Sequence, residues 1–235
     1  MHLARAGTIK DSSWVLVTGV EHATARAVAM ELASSWNIVA HSFALNEARA
    51  VAEDIRRAGG NAHPVEADLT VAVSASRMYA ELRADGPAIT ALVHSASLPG
   101  PESTAHPLRQ IHPSDWYRFI HLHLSMLLHT VRGAIDTIDT NATTGAILTV
   151  TSSPVTQGQA TTLARATVDG ATAAFAAALA NENRDPSLTV CHLRSQPGAH
   201  GTPYATGVSS ELRAALECRV PAATRVARSN RLISR

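Results

Sequence analysis

Short apolar runs alternate along this chain with longer segments whose apolar residues recur at helical spacing, the pattern of a parallel sheet with helices on both faces. WVLVT at 14–18 is the first run, and the ARAVAMELASS stretch behind it reads as a helix. NIVAH at 37–41 predicts a second strand, followed by a helix through NEARAVAEDIRRAGG that Gly59 and Gly60 stop. A short strand is expected at 62–65 with Asp68 just beyond it, then a helix at 73–84 and a strand at 89–94. A loop rich in Pro, Ser and His leads to a long helix that opens at Ser114, whose hydroxyl can cap it. AILTVT at 146–151 predicts a fifth strand, the Ala-rich stretch 161–183 a helix, and LTVCHL at 188–193 a sixth strand. Beyond about residue 205 the pattern thins, and one short helix at 209–218 is expected. The fold class is therefore α/β, a doubly wound parallel sheet of Rossmann type in one domain.

Composition narrows this picture. The chain has 235 residues, enough for one well-buried core and too few for two comfortable domains. A formal net charge of +1 offers no general field for nucleic acid or an anionic membrane. No apolar leader or membrane-length run is seen, so a cytoplasmic setting is expected. Cys191 and Cys218 are too few for a disulfide framework, and no metal site is assigned, since His121 and His123 point to different faces of a helix. Lys10 is the only lysine and precedes the first strand. The last 17 residues, RVPAATRVARSNRLISR, carry five Arg and no acid, and a solvated terminus outweighs a phosphate contact there.

The motifs supply the chemistry. A strand ending in Thr18-Gly19 and running into a helix is where a dinucleotide pyrophosphate docks. Together with DLT at 68–70, AILTVTSS at 146–153 and PGAHGTP at 197–203, in that order and spacing, it resembles the short-chain dehydrogenase/reductase family over residues 12–204. Residues 1–11 form an N-terminal segment and 205–235 a C-terminal helix and basic tail. The family's closing strand is not recognisable, so the C-terminal edge of the sheet is expected to be truncated.

The resemblance implies a nucleotide loop of three glycines, of which this chain keeps Gly19 and has Ala23 and Ala25 at the other two places. Each added methyl narrows the space for the pyrophosphate or for helix packing, while His22 could donate to an anion. By position, Thr18, Gly19, His22, Ser42, Asp68 and His94 would line a cofactor seat. Ser42 and Phe43 stand where an acid or Arg usually reads the ribose, and Asp68 is equally readable as a helix cap. NAD(P) binding is expected to be weakened, and no cofactor is assigned.

The family's catalytic serine maps to Ser152, its asparagine to His123, and its tyrosine and lysine to Arg165 and Asp169, the register being supported by Phe175, Leu179 and Glu182. A guanidinium is a poor proton donor, and Asp169 one helical turn on suits an ion pair with it. The family's hydride cycle is therefore not expected. Ser152, His123, Arg165, Asp169 and, from the loop after PGAHGTP, Tyr204 suit non-redox acid/base work on a small carbonyl ligand: isomerisation, dehydration or cyclisation, as in a specialised biosynthetic route. A Ser152–His123–Asp169 hydrolase triad lacks the elbow that exposes a nucleophile. Two alternatives stay open: a non-catalytic partner of an active sibling, and an NAD(P)-dependent oxidoreductase with substituted residues. The resemblance also implies a homodimer, or a hetero-oligomer with a sibling, through the helices at 114–138 and 161–183.

Overall fold

The computed structural model describes residues 13–95, 108–140, 144–151, 163–194 and 202–217, without the side chains of 139, 140, 202–204, 216 and 217. The elements run β1 (Trp14–Thr18), α1 (Ala23–Leu32), β2 (Asn37–Ser42), α2 (Leu45–Arg57), β3 (Ala62–Glu66), α3 (Ala72–Ala84) and β4 (Ile89–His94). They continue as α4 (Pro113–Thr140), β5 (Gly145–Thr151), α5 (Leu163–Glu182), β6 (Leu188–Arg194) and α6 (Thr202–Glu217). The strands lie in the order β3-β2-β1-β4-β5-β6, every neighbouring pair parallel. The chain winds outward from β1 to β3, returns beside β1 and winds outward again to β6. The reversal between β1 and β4 opens a crevice at the strands' C-terminal ends, the usual ligand position in this architecture.

Side-chain alternation along each strand divides the interior into two cores. Val15, Val17, Ile38, Ala91, Val93, Leu148 and Leu193 face α1, α2 and α6. Leu16, Val39, Leu92, Ile147 and Val190 face α3, α4 and α5. Such continuous Val, Ile and Leu runs are what a sheet covered on both faces requires.

Two local expectations are corrected. Helix α4 opens at Pro113 rather than Ser114, with His112 before it: the Ser114 N–H and hydroxyl lie 3.4 Å and 2.7 Å from His112 Nδ1. Proline suits the first helical position, where its missing N–H costs nothing, and the imidazole does the capping. The C-terminal helix starts at Thr202, not 209, because Ala205, Val208, Leu212 and Ala215 form an apolar stripe packed against the core of α1. The expected boundary at 204/205 thus falls inside α6. Arg213 fastens that helix to the foot of β2, donating to Ser35 Oγ at 2.9 Å and lying 5.1 Å over the Trp36 ring. Among the described residues β6 is the edge of the sheet, with no strand beyond it.

Helices α3 and α4 meet at Tyr79, whose buried hydroxyl donates to the Thr130 carbonyl at 2.7 Å. A Cβ on Gly133 would stand 2.1 Å from the Tyr79 ring. Gly170 on α5 has nothing within 4 Å of the same construction. Gly133→Ala should therefore destabilise the fold by about 2–3 kcal/mol through overpacking. Gly170→Ala should stabilise it by about 0.5–1 kcal/mol through reduced unfolded-state entropy. Urea denaturation of the two variants measures both signs.

Candidate functional site

On the face toward α3, α4 and α5, the last apolar residue of each of five strands is followed, two places on, by a polar one. Thr18 succeeds Leu16, His41 succeeds Val39, His94 succeeds Leu92, Thr149 succeeds Ile147, and His192 succeeds Val190. The parallel register sets these residues side by side: Thr18 opposite His41, His94 opposite Thr149, and Thr149 opposite His192. The result is one polar rung across five strands at the floor of the crevice.

Hydrogen bonds fix the rung. His41, wholly buried, donates from Nε2 to the Ala67 carbonyl at 3.0 Å, since a carbonyl can only accept, and its Nδ1 receives the Gly19 N–H at 3.3 Å. Thr18 Oγ1 lies 3.3 Å from His94 Nδ1 and accepts the Ser95 N–H at 3.2 Å. Thr149 Oγ1 and Thr151 Oγ1 flank His192, 2.9 Å from Nδ1 and 3.3 Å from Nε2. Burial holds all three imidazoles neutral. It pulls His41 to about 4 and His94 to about 3, the proximity of the His41 and His123 imidazoles adding to the lowering at His94. Burial and then Arg194 bring His192 to about 4.

Helices α4 and α5 overhang the rung. His123 is buried, its Nδ1 2.8 Å from the Phe119 carbonyl and its ring 4.1 Å from the Phe119 ring. The carbonyl requires a proton on Nδ1, which leaves the lone pair of the neutral ring on Nε2. His121, two residues earlier, is exposed. Arg165 Nε and Asp169 Oδ1 lie 3.4 Å apart, and Asp169 is only 2% exposed. Burial pushes the Asp169 carboxyl up against the opposing pull of Arg165 and Arg194, and Oδ2 is buried with no hydrogen-bond partner among the described residues.

The remaining candidates separate by position. Ser42, buried at the end of β2, donates to Glu47 Oε2 at 3.0 Å and accepts the Ala44 N–H at 3.2 Å. Asp68 Oδ1 accepts from the N–H and hydroxyl of Thr70 at 2.9 and 2.6 Å, a turn that leads into α3. His22 sits immediately before α1. Ser152 and the side chain of Tyr204 lie outside the described residues. Among the described residues no group of three His, Cys, Asp or Glu side chains could hold a metal ion, and no helix is long and apolar enough to cross a membrane. Sequence reasoning passed over His41, Glu21 and Glu47. For His41 the signal was available: each of these strands carries a polar residue two places after the last apolar one on the same face.

The sequence matches the short chain dehydrogenase family over residues 13–213. The chain belongs to that family. Solved structures of the same fold include a metagenomic short-chain oxidoreductase in complex with NADP, 20% identical, with a TM-score of 0.75 over 88% of this chain and 92% of that one. A dehydrogenase/reductase from Sinorhizobium meliloti is 20% identical, with a TM-score of 0.72 over 86% and 88%. An actinorhodin polyketide ketoreductase with NADPH is 18% identical, with a TM-score of 0.70 over 88% and 78%. No curated protein matches the sequence.

The family implies a nicotinamide dinucleotide whose pyrophosphate would rest on the β1–α1 turn, where open N–H groups and the absence of a competing anion are needed. In this turn the Gly19 and Val20 N–H groups both donate to the His41 carbonyl at 3.0 Å, and the His22 N–H donates to the Gly19 carbonyl at 3.0 Å. Glu21 lies between them, its side chain 13% exposed and Oε2 buried without a hydrogen-bond partner among the described residues. Ala25 is wholly buried in the core, and Arg26 is held by Asp54. Of these residues, Glu21 is the one whose charge opposes a pyrophosphate in its ordinary seat.

The neutral rung has a measurable consequence. His41, His94 and His192 bind protons in the unfolded chain below the ordinary value of 6.5, yet in the fold only near 4, 3 and 4. The unfolded state thus holds more protons between these limits, so stability is complete above about pH 6.5 and falls as pH drops toward 4. Urea midpoints measured from pH 7.5 to pH 4.5 should decrease steadily, and His41→Gln should flatten the slope.

Proposed function

We propose that this chain is a non-redox member of its family that binds a small carbonyl compound in the crevice and catalyses proton transfer on it. Isomerisation, dehydration and cyclisation of such a compound share this step. The observation that carries the reading is the Arg165–Asp169 pair on α5, with Asp169 buried, together with the buried His123 on α4. His123 Nε2 takes the proton next to the carbonyl and returns it to another carbon or to a leaving hydroxyl. The Arg165 guanidinium, held by Asp169, stabilises the enolate oxygen that forms meanwhile, and Ser152 orients the carbonyl. Arg165 itself remains protonated throughout. Lys10 precedes β1, which leaves no amine in the crevice elements for Schiff-base chemistry.

Incubation with a panel of ketones in deuterated water, followed by proton NMR, tests this. The wild-type chain should catalyse C–H exchange in at least one class, and His123→Gln should slow it by roughly 10²–10⁴-fold. Arg165→Gln should lower the rate and also the melting temperature, since it leaves the buried Asp169 carboxylate without its partner. Equal exchange by wild type and His123→Gln sinks the proposal.

A second reading, a supporting subunit, draws on the outer surfaces of the same helices. Leu128 on α4 is half exposed, and the outward positions Thr167, Gly170, Ala174 and Ala178 of α5 are all small and suited to close helix packing. Assembly would then run through α4 and α5, with a second copy or an active sibling. Light scattering should give at least a dimer, and Ala174→Arg should return the chain to a monomer. Solved relatives in complex with NADP support an oxidoreductase reading, which depends on the β1–α1 turn accepting a dinucleotide.

A further inference from the structure

The turn that disagrees with its family also bears on what the crevice selects. We propose that Glu21 is a specificity residue whose carboxylate excludes the dinucleotide pyrophosphate and leaves the crevice to an uncharged or cationic carbonyl compound. Only the identity of that compound rests on the proposed function.

Three placements support it. Glu21 stands between Gly19, whose φ of 77° bends the chain out of β1, and the first turn of α1, so its charge lies in the turn at the helix end toward which an anion would be drawn, with Oε1 3.8 Å from His22 Nε2. A carboxylate in so enclosed a position repels a second anion a few ångströms away rather than binding it. The amide donors of Gly19, Val20 and His22 are turned inward onto His41 and Gly19, which leaves fewer groups in the turn to offset phosphate charge. The imidazole of His41 beneath the turn is neutral and buried, and the guanidinium on α1, that of Arg26, is turned to Asp54, which also holds Arg57. At the end of β2, Glu47 takes the Ser42 hydroxyl and adds a second carboxylate where the adenosine end of a dinucleotide would pass.

Removing one charge at a time separates these contributions. Calorimetric titration of the full chain with NADH, NADPH and inorganic pyrophosphate should show no binding by wild type up to millimolar ligand. Glu21→Gln, which keeps the shape and removes the charge, should bind NADH and pyrophosphate at least about tenfold more tightly. Glu47→Gln should change NADPH affinity more than pyrophosphate affinity. Because Glu21 Oε2 is buried without a partner among the described residues, the Gln variant should melt no lower than wild type. Micromolar nucleotide binding by wild type overturns the proposal, as does a folded Glu21→Gln variant that binds no better. A Glu21→Gln variant and a Glu21→Ser variant that both melt well below wild type overturn it too, since the carboxylate would then be holding the turn together, through His22 Nε2 at 3.8 Å from Oε1, rather than serving exclusion. Proton exchange through His123 is read separately, so nucleotide binding by wild type would remove the exclusion without deciding that reaction.

Discussion

The parallel register of the sheet is the constraint on which the site depends. Because neighbouring strands are paired without slippage at their C-terminal ends, residues at equal height stand side by side, and five strands each present one polar group there. A one-residue slip of any strand would send its polar side chain into the opposite, apolar core and an apolar one into the crevice floor. Burial of these groups is tolerated because every imidazole nitrogen that the rung uses finds a partner: a carbonyl, an amide or a threonine hydroxyl. The same burial keeps them uncharged. The floor of the crevice is thus rigid, polar and electrically quiet.

The charges come from the helices instead. Asp169 and Arg165 lie one turn apart on α5, and His123 faces inward from α4, where its bond to Phe119 settles which nitrogen is basic. A buried carboxylate beside a guanidinium is costly unless it is paired, so replacing either one alone leaves the other stranded.

The opposite half of the crevice makes the complementary point. In the β1–α1 turn the Gly19, Val20 and His22 N–H groups are spent internally, and the Glu21 carboxylate lies beside His22. A nucleotide site needs donors turned outward and a free positive end of the helix dipole. The frame that carries both halves of the crevice is that of the family. The sheet and helices are held by apolar packing remote from the strand ends, so the residues at the crevice can vary without disturbing the frame.

Much of the frame was legible in the residues themselves. Runs such as WVLVT and NIVAH, each buried on both faces, can hardly be anything but interior parallel strands, and Gly59 with a φ of 85° ends α2 where the doublet Gly59-Gly60 predicts. Arg165 and Asp169 were readable as a pair from spacing alone, because a helix brings i and i+4 together whatever surrounds it. Other features escaped local reading. The start of α6 was missed because its stripe of Ala205, Val208 and Leu212 is too weak a signal until α1 is there to cover it. His41 looked like a strand-end residue until the third dimension set it between Gly19 and Ala67, sites distant in the chain. Periodicity records what a segment does with its own neighbours. Which imidazole is neutral, which amide is spent and which carboxylate is buried are decided by partners far away in sequence, and only the folded chain brings those together.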